Sequence, residues 1–153
     1  MKTLLITLSL ILFTAVNLLS QNMSVESTKS IMNQYLDSEH SDVSMLADDV
    51  VFTHMANGDE HRGPDEVLKM LNYMYHTTFN AKAETKNLIC AEGKAVLEGD
   101  FVGTHIGEFA GIPATNKKVR VPICVVYDLE NNLIKRARVY LEMPVLFKQL
   151  NEK

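Results

Sequence analysis

One stretch constrains the fold more than any other: Gly103-Thr104-His105-Ile106-Gly107-Glu108-Phe109-Ala110-Gly111-Ile112-Pro113-Ala114-Thr115-Asn116-Lys117. It starts on the end of an apolar, strand-like run, spaces Gly103, Gly107 and Gly111 four apart, turns at Gly-Ile-Pro and feeds a second strand-like run. Glycine inside a strand pattern marks a bend or a close approach of another backbone. A histidine between the first two glycines gives two readings. One is a strained hairpin with a packed core histidine. The other is a hairpin that curves a sheet around a pocket and aims His105 into it.

The rest of the chain suits such a sheet. Ser24 to Asp37 has a helical pattern, with Val25, Ile31, Met32, Tyr35 and Leu36 mostly on one face. Ser41-Asp42 can cap a short turn over Val43–Ala47. Val50 to Met55 is rich in β-formers and reads as a first strand, closed by a turn at Asn57-Gly58-Asp59. Arg62-Gly63-Pro64-Asp65-Glu66 is a helix start, with proline at the first position and acids in the first turn. Val67, Leu68, Leu71, Met74 and Tyr75 continue it as an apolar stripe to about Thr77. Strands are then expected at Asn80–Ala91, Ala95–Ile106, Lys118–Asp128 and Leu133–Met143, with a closing helix at Val145–Leu150 after Pro144. Helices followed by hairpin-linked strands indicate an α+β fold with an antiparallel sheet. Glycine bends should curve that sheet into a cone, closed by the long amphipathic helix over an internal pocket.

The first twenty residues do not belong to this pattern. Lys2 precedes an apolar run, Leu4 to Val16, which is shorter than the roughly 20 residues a membrane-spanning helix needs. The layout is that of a cleavable signal peptide, residues 1–20, and places the remaining domain, 21–153, in the periplasm or outside the cell. An uncleaved anchor is the alternative. The formal charge of −4 argues against a nucleic-acid partner. Cys90 and Cys124 fall on strands separated by a third, too far apart for a disulfide, so both thiols are expected free and buried. No spacing among the histidines and cysteines fits a metal site.

His105-x-Gly107-x-Phe109-x-Gly111-Ile112-Pro113-x-Thr115, then Arg138-Val139-Tyr140-Leu141-Glu142 with Gln149-Leu150, resembles the signature of the SnoaL-like polyketide cyclases, or ester cyclases. The Arg62-Gly63-Pro64 helix start fits as well, and the resemblance covers roughly Val50 to Leu150. It implies the cone-shaped nuclear-transport-factor-like fold shared with ketosteroid isomerase and scytalone dehydratase. It also implies acid/base chemistry next to a carbonyl without metal or cofactor. Two positions depart from the pattern. Glu142 stands where the family commonly has Asp on the last strand. Asn116 stands where the family usually has Gly, and asparagine tolerates the positive φ such a turn requires.

On the last strand, Arg136, Arg138, Tyr140 and Glu142 share one face, and Ala137, Val139 and Leu141 the other. The pattern alone reads the first group as a solvated face. The resemblance instead directs Glu142 into the cone as the proton-transfer residue. It pairs Glu142 with His105 as a catalytic partner and makes Tyr140 and Arg138 substrate-binding residues; His54 is a further substrate-binding candidate from its own strand position. His54 shares its face with Val50 and Phe52. His61 is expected at a rim, His76 at a helix end and His40 in an exposed loop.

The implied activity is that of an exported, cofactor-independent lyase or dehydratase, isomerase or cyclase, in which an enolate-like charge is stabilised near Glu142. The compartment and the two arginines suggest a small carbonyl or sugar-acid substrate, with dehydration of uronic acids as the specific expectation. The expected assembly is a homodimer. The rival reading is a non-catalytic ligand-binding or dimerisation module of the same fold.

Overall fold

Helix α1 (Val25–Asp37) begins where the Ser24 hydroxyl accepts a hydrogen bond from the Ser27 N–H at 3.0 Å, a standard N-terminal cap. Its inward face is Thr28, Met32 and Tyr35, all fully buried. The computed structural model describes residues 23–39 and 41–152. The expected signal peptide and His40 lie outside the described residues. Among those described, no helix is long and apolar enough to cross a membrane.

Asp42 caps a single 3₁₀ turn, Val43–Met45, and strand β1 follows at once over Leu46–His54. The strand therefore starts four residues earlier than the apolar pattern suggests, because Asp48 and Asp49 lie exposed at its outer side. A turn over Met55–Gly58 leads into β2 (Glu60–Arg62), a short edge strand that periodicity cannot reveal in three residues. Helix α2 (Pro64–Asn72) starts at Pro64 as expected and continues as a π-helical segment, Tyr73–Thr78. Four long strands complete the chain: β3 (Phe79–Ala91), β4 (Lys94–His105), β5 (Lys118–Glu130) and β6 (Leu133–Leu141). Helix α3 (Met143–Asn151) closes it.

The strands form one six-stranded sheet in the order β2-β1-β6-β5-β4-β3. All neighbours are antiparallel except β1 and β6, which run parallel. That pair corrects the expectation of a wholly antiparallel sheet: the helices between the early strand and the rest bring β1 back beside the last strand in the same direction. Asn131 and Asn132 both take positive φ, 51° and 63°, in the two-residue β5–β6 turn, the conformation such a hairpin turn requires. Asn116 has φ 55° and makes the turn that glycine usually makes.

The core lies between the inner face of the sheet and helices α1 and α2. On β5 the alternation is complete: Val119, Val121, Ile123, Val125 and Tyr127 are buried. Leu97 and Phe101 on β4 and Val50 and Phe52 on β1 extend that layer. Burial of this kind contributes roughly 1.5–3 kcal/mol per large apolar side chain. Cys90 on β3 and Cys124 on β5 are free and separated by β4, as expected, but both are half-buried rather than buried.

Candidate active site

Inside the cone, the inner face of the sheet and helices α1 and α2 enclose a cavity of about 50 Å³. Space of about 10–15 Å³ holds one water, so it has room for a few waters or a small part of a ligand. Its wall is mainly apolar, with Phe52, Met70, Met74, Leu97 and Phe101 among the lining residues. Among the described residues, Tyr35, Tyr75, Tyr127 and His54 are the polar members of the lining, and no Asp, Glu, Lys or Arg belongs to it.

The three tyrosines come from α1, the π-helical segment and β5. Burial raises the Tyr35 phenol well above its ordinary range, with Tyr127 and Tyr75 adding to the rise. Burial pushes Tyr75 up to about 12. Tyr127, packed edge-on against Tyr35 and Phe52 at 6.2 and 6.5 Å, is also raised, chiefly by burial. All three therefore stay protonated at neutral pH.

His54 ends β1 and lines the cavity. Burial lowers its pKa, and the neighbouring His61 lowers it further, while Asp59 acts in the opposite sense. The two imidazoles meet edge to face, with centroids 5.5 Å apart and planes at 85°. At neutral pH His54 is thus a neutral imidazole facing an apolar space, the state a general base needs.

The last strand turns the other way from the expectation. Ala137 is fully buried, and Val139 and Leu141 line the cavity. Tyr140, on the opposite face, is 46% exposed. Arg138 lies on that outer face too and donates to Asp128 at 2.6 Å; this ion pair holds Asp128 at about 2. Arg136 is exposed. Glu142 is exposed at the N-terminus of α3, where its side chain makes no capping bond and its backbone N–H donates to the Pro122 carbonyl at 3.1 Å. The expectation that Glu142, Tyr140 and Arg138 face the cone is corrected accordingly. The alternation of a strand allows one face inside, and the apolar Ala-Val-Leu face takes it because burying three charged groups without full pairing is costly.

His105 lies inside, yet it does not line the cavity. It is fully buried, its ring packs on Phe79 with centroids 5.0 Å apart, and Nδ1 accepts from the Thr115 N–H at 3.2 Å and sits 3.0 Å from Thr115 Oγ1. Accepting at Nδ1 leaves the ring proton on Nε2 in the neutral form. Burial lowers its pKa, offset in part by the Gly107 backbone, although Nε2 makes no hydrogen bond of normal geometry. His105 pins the long β4–β5 connection to the end of β4. It shares no contact with Glu142 that would make the two a catalytic pair.

The residues that sequence reasoning treated as ordinary core were the three tyrosines. Their signal was present: a tyrosine within an apolar stripe brings a hydroxyl that must go somewhere. Three stripes carry one each, on α1, the π-helical segment and β5.

The chain belongs to the SnoaL-like polyketide cyclase family, whose profile matches residues 32–150. Solved structures agree on the fold. A protein from Jannaschia sp. CCS1 assigned as a SnoaL-like polyketide cyclase aligns with a TM-score of 0.74 at 12% identity, over 84% of this chain and 94% of that one. AclR from Streptomyces galilaeus, assigned as a hydroxylase, aligns at 0.69 with 20% identity over 83% and 82%. A Kribbella flavida protein assigned as a ketosteroid isomerase aligns at 0.60 with 13% identity over 76% and 78%. A comparison with curated proteins finds no match. Proteins assigned as a cyclase, a hydroxylase and an isomerase thus share this cone.

Proposed function

We propose that the protein is a cofactor-independent acid/base enzyme of the cyclase or isomerase type, with His54 as the base. The observation that carries this is the position of His54. It is the single group lining the cavity, among the described residues, whose ordinary pKa lies near neutrality. In this reading the neutral imidazole takes a proton from the carbon next to a substrate carbonyl. The carbonyl oxygen becomes an enolate oxygen and receives hydrogen bonds from the buried phenols. The proton is then returned to another carbon, or the enolate carbon attacks a second carbonyl to close a ring and the His54 imidazolium gives its proton to the resulting alkoxide. The apolar wall strengthens each of these hydrogen bonds by excluding water.

An uncharged, largely apolar carbonyl compound suits this wall. The uronic-acid dehydratase remains the version that compartment and chemistry suggest, but no cation lines the cavity to hold its carboxylate. Export is part of the proposal and rests on the Leu4–Val16 run. Homodimerisation is also part of it, supported by Ile89 and Tyr140, 66% and 46% exposed on the outer face of the sheet. A second reading, binding without chemistry, is favoured by one fact: the last-strand carboxylate stands outside the cavity.

The test is substrate-dependent deuterium uptake by a panel of apolar ketones and β-dicarbonyl compounds in deuterated water. General-base catalysis contributes about 10²- to 10⁴-fold, so His54→Gln should lose at least about 100-fold, with Glu142→Gln close to the unaltered protein. Loss of uptake in Glu142→Gln, or equal uptake in His54→Gln, overturns the assignment. Saturable binding of these compounds with no exchange establishes the second reading.

A further inference from the structure

The edge hairpin β1–β2 does more than close the sheet. Its register sets His61 directly opposite Phe52. Phe52 is buried and lines the cavity, and residues opposite one another in an antiparallel pair share a face. His54, two residues beyond Phe52, lies on that face as well. The short edge strand therefore turns His61 inward, diagonal to His54, while its neighbours Glu60 and Arg62 pair with each other on the other side. The backbone holds this arrangement: the His54 N–H donates to the Asp59 carbonyl at 2.8 Å, and Thr53 pairs with Glu60.

His61 is half-buried and does not line the cavity. Its ring meets the His54 ring edge to face at 5.5 Å. Two cations at such a separation in a partly desolvated site repel one another strongly, so the pair disfavours carrying two protons. The other charged groups around the pair come from two elements. Asp59, from the hairpin turn, acts on His54 in the opposite sense, but its carboxylate is drawn toward the turn, where it accepts from Asn57 Nδ2 at 2.6 Å. Glu66, in the first turn of α2, interacts electrostatically with His61 and is ion-paired to Lys69 at 2.7 Å. On the cavity side, the other polar side chains of the lining among the described residues are Tyr35, Tyr75 and Tyr127.

We infer that His61 is a positioning residue for His54: its ring, meeting the His54 ring edge to face, fixes that imidazole at the cavity wall and disfavours a second proton on the pair. His61 touches no reacting atom in this arrangement. It supports the acid/base role proposed above, and so the inference rests on that reading for its consequence, though not for its physical content.

The test follows the His54 imidazole by NMR titration in the full protein, its resonance identified by disappearance in His54→Gln. In His61→Gln the His54 midpoint should move to higher pH. In His61→Phe, which retains an aromatic contact without a titrating group, the midpoint should also move up, with the His54 ring still held in one orientation. The acid limb of substrate-dependent exchange should move to higher pH in step with the midpoint. A purely structural role for His61 would leave the midpoint where it is and change only the melting temperature. An unmoved His54 midpoint in both variants overturns the inference whatever the exchange assay gives. The titration needs no substrate, so the failure of the acid/base reading, seen as His54→Gln exchanging normally, is distinguishable from failure of this one.

Discussion

Replacing Gly107 by alanine tests whether the glycines around His105 serve backbone approach or backbone freedom. A Cβ built on Gly107 meets the Thr77 carbonyl oxygen at 2.4 Å, with the Thr77 carbonyl carbon and Thr78 Cα both at 3.2 Å. Ordinary contact between such atoms begins about 1 Å farther out. The neighbours that must yield are backbone, and they are held in place. The N–H groups of Ile106 and Gly107 both donate to the Thr78 carbonyl at 2.9 Å. Opening the gap by about 1 Å forfeits most of both hydrogen bonds, each worth about 0.5–1.5 kcal/mol, or else leaves an overpacked contact costing about 1–3 kcal/mol. The expected loss is about 1–3 kcal/mol, read as a fall in Tm of roughly 3–9 °C for a domain of this size.

Gly111 provides the contrast. Its φ is 79° and a Cβ there meets nothing within 4 Å, so alanine costs only the left-handed backbone penalty, about 1–2 kcal/mol. Asparagine tolerates that conformation, and Gly111→Asn should recover most of the loss, whereas Gly107→Asn should be at least as damaging as Gly107→Ala. Thermal melts by circular dichroism on the four variants decide the matter. If Gly107→Ala costs no more than Gly111→Ala, or if asparagine rescues position 107, the close-approach argument is wrong. The segment that Gly107 presses on carries Met74 and Tyr75 in the cavity wall, so the same substitution should also weaken binding of apolar carbonyl compounds.

Two further expectations concern pH. Asp128 is held at about 2, against an ordinary value of 3.8, by Arg138 first and Lys94 to a lesser degree, with burial opposing. Its folded value lies below its unfolded one. The stabilisation is therefore complete above about pH 4 and is lost as pH falls toward 2; Arg138→Ala should flatten that acid limb in melts between pH 2 and 5, and an unchanged limb would remove the ion pair from the account. His105 acts in the same direction at higher pH, because burial depresses the folded pKa of a group that is charged when protonated. The unfolded chain then binds more protons below about pH 6.5, and stability falls as pH drops through that value. His105→Gln should reduce this slope, and Thr115→Val, which removes the hydroxyl 3.0 Å from Nδ1, should cost about 1 kcal/mol near neutrality. A slope unaffected by His105→Gln would assign it to His54 instead.

How far the sequence leads can be argued strand by strand. The helix start at Pro64 was legible because it rests on local chemistry, a fixed φ and acids in the first turn. The left-handed turn at Asn116 was legible because asparagine tolerates positive φ. The face of β6 was a different problem. Period-two alternation separates Arg136, Arg138, Tyr140 and Glu142 from Ala137, Val139 and Leu141, and the apolar set is the natural inner face. The family resemblance favoured the charged set instead, and burial in the structure follows the apolar one. His105 was rightly assigned to the interior by its partners Leu97 and Phe101, but an inner face is not a cavity. A cavity forms only where opposing side chains fail to interdigitate, and that depends on the distance between layers, which no single strand encodes. At His105 the Phe79 ring and the Thr115 backbone fill the space. At His54, near the edge of the sheet, the helix layer leaves a gap that Met70, Met74 and the tyrosines line without closing. The glycine-rich bend thus shapes the cone by letting β4 and its following loop lie against Thr77 and Thr78, while the titratable group that the cone exposes to its cavity stands on the far strand, β1.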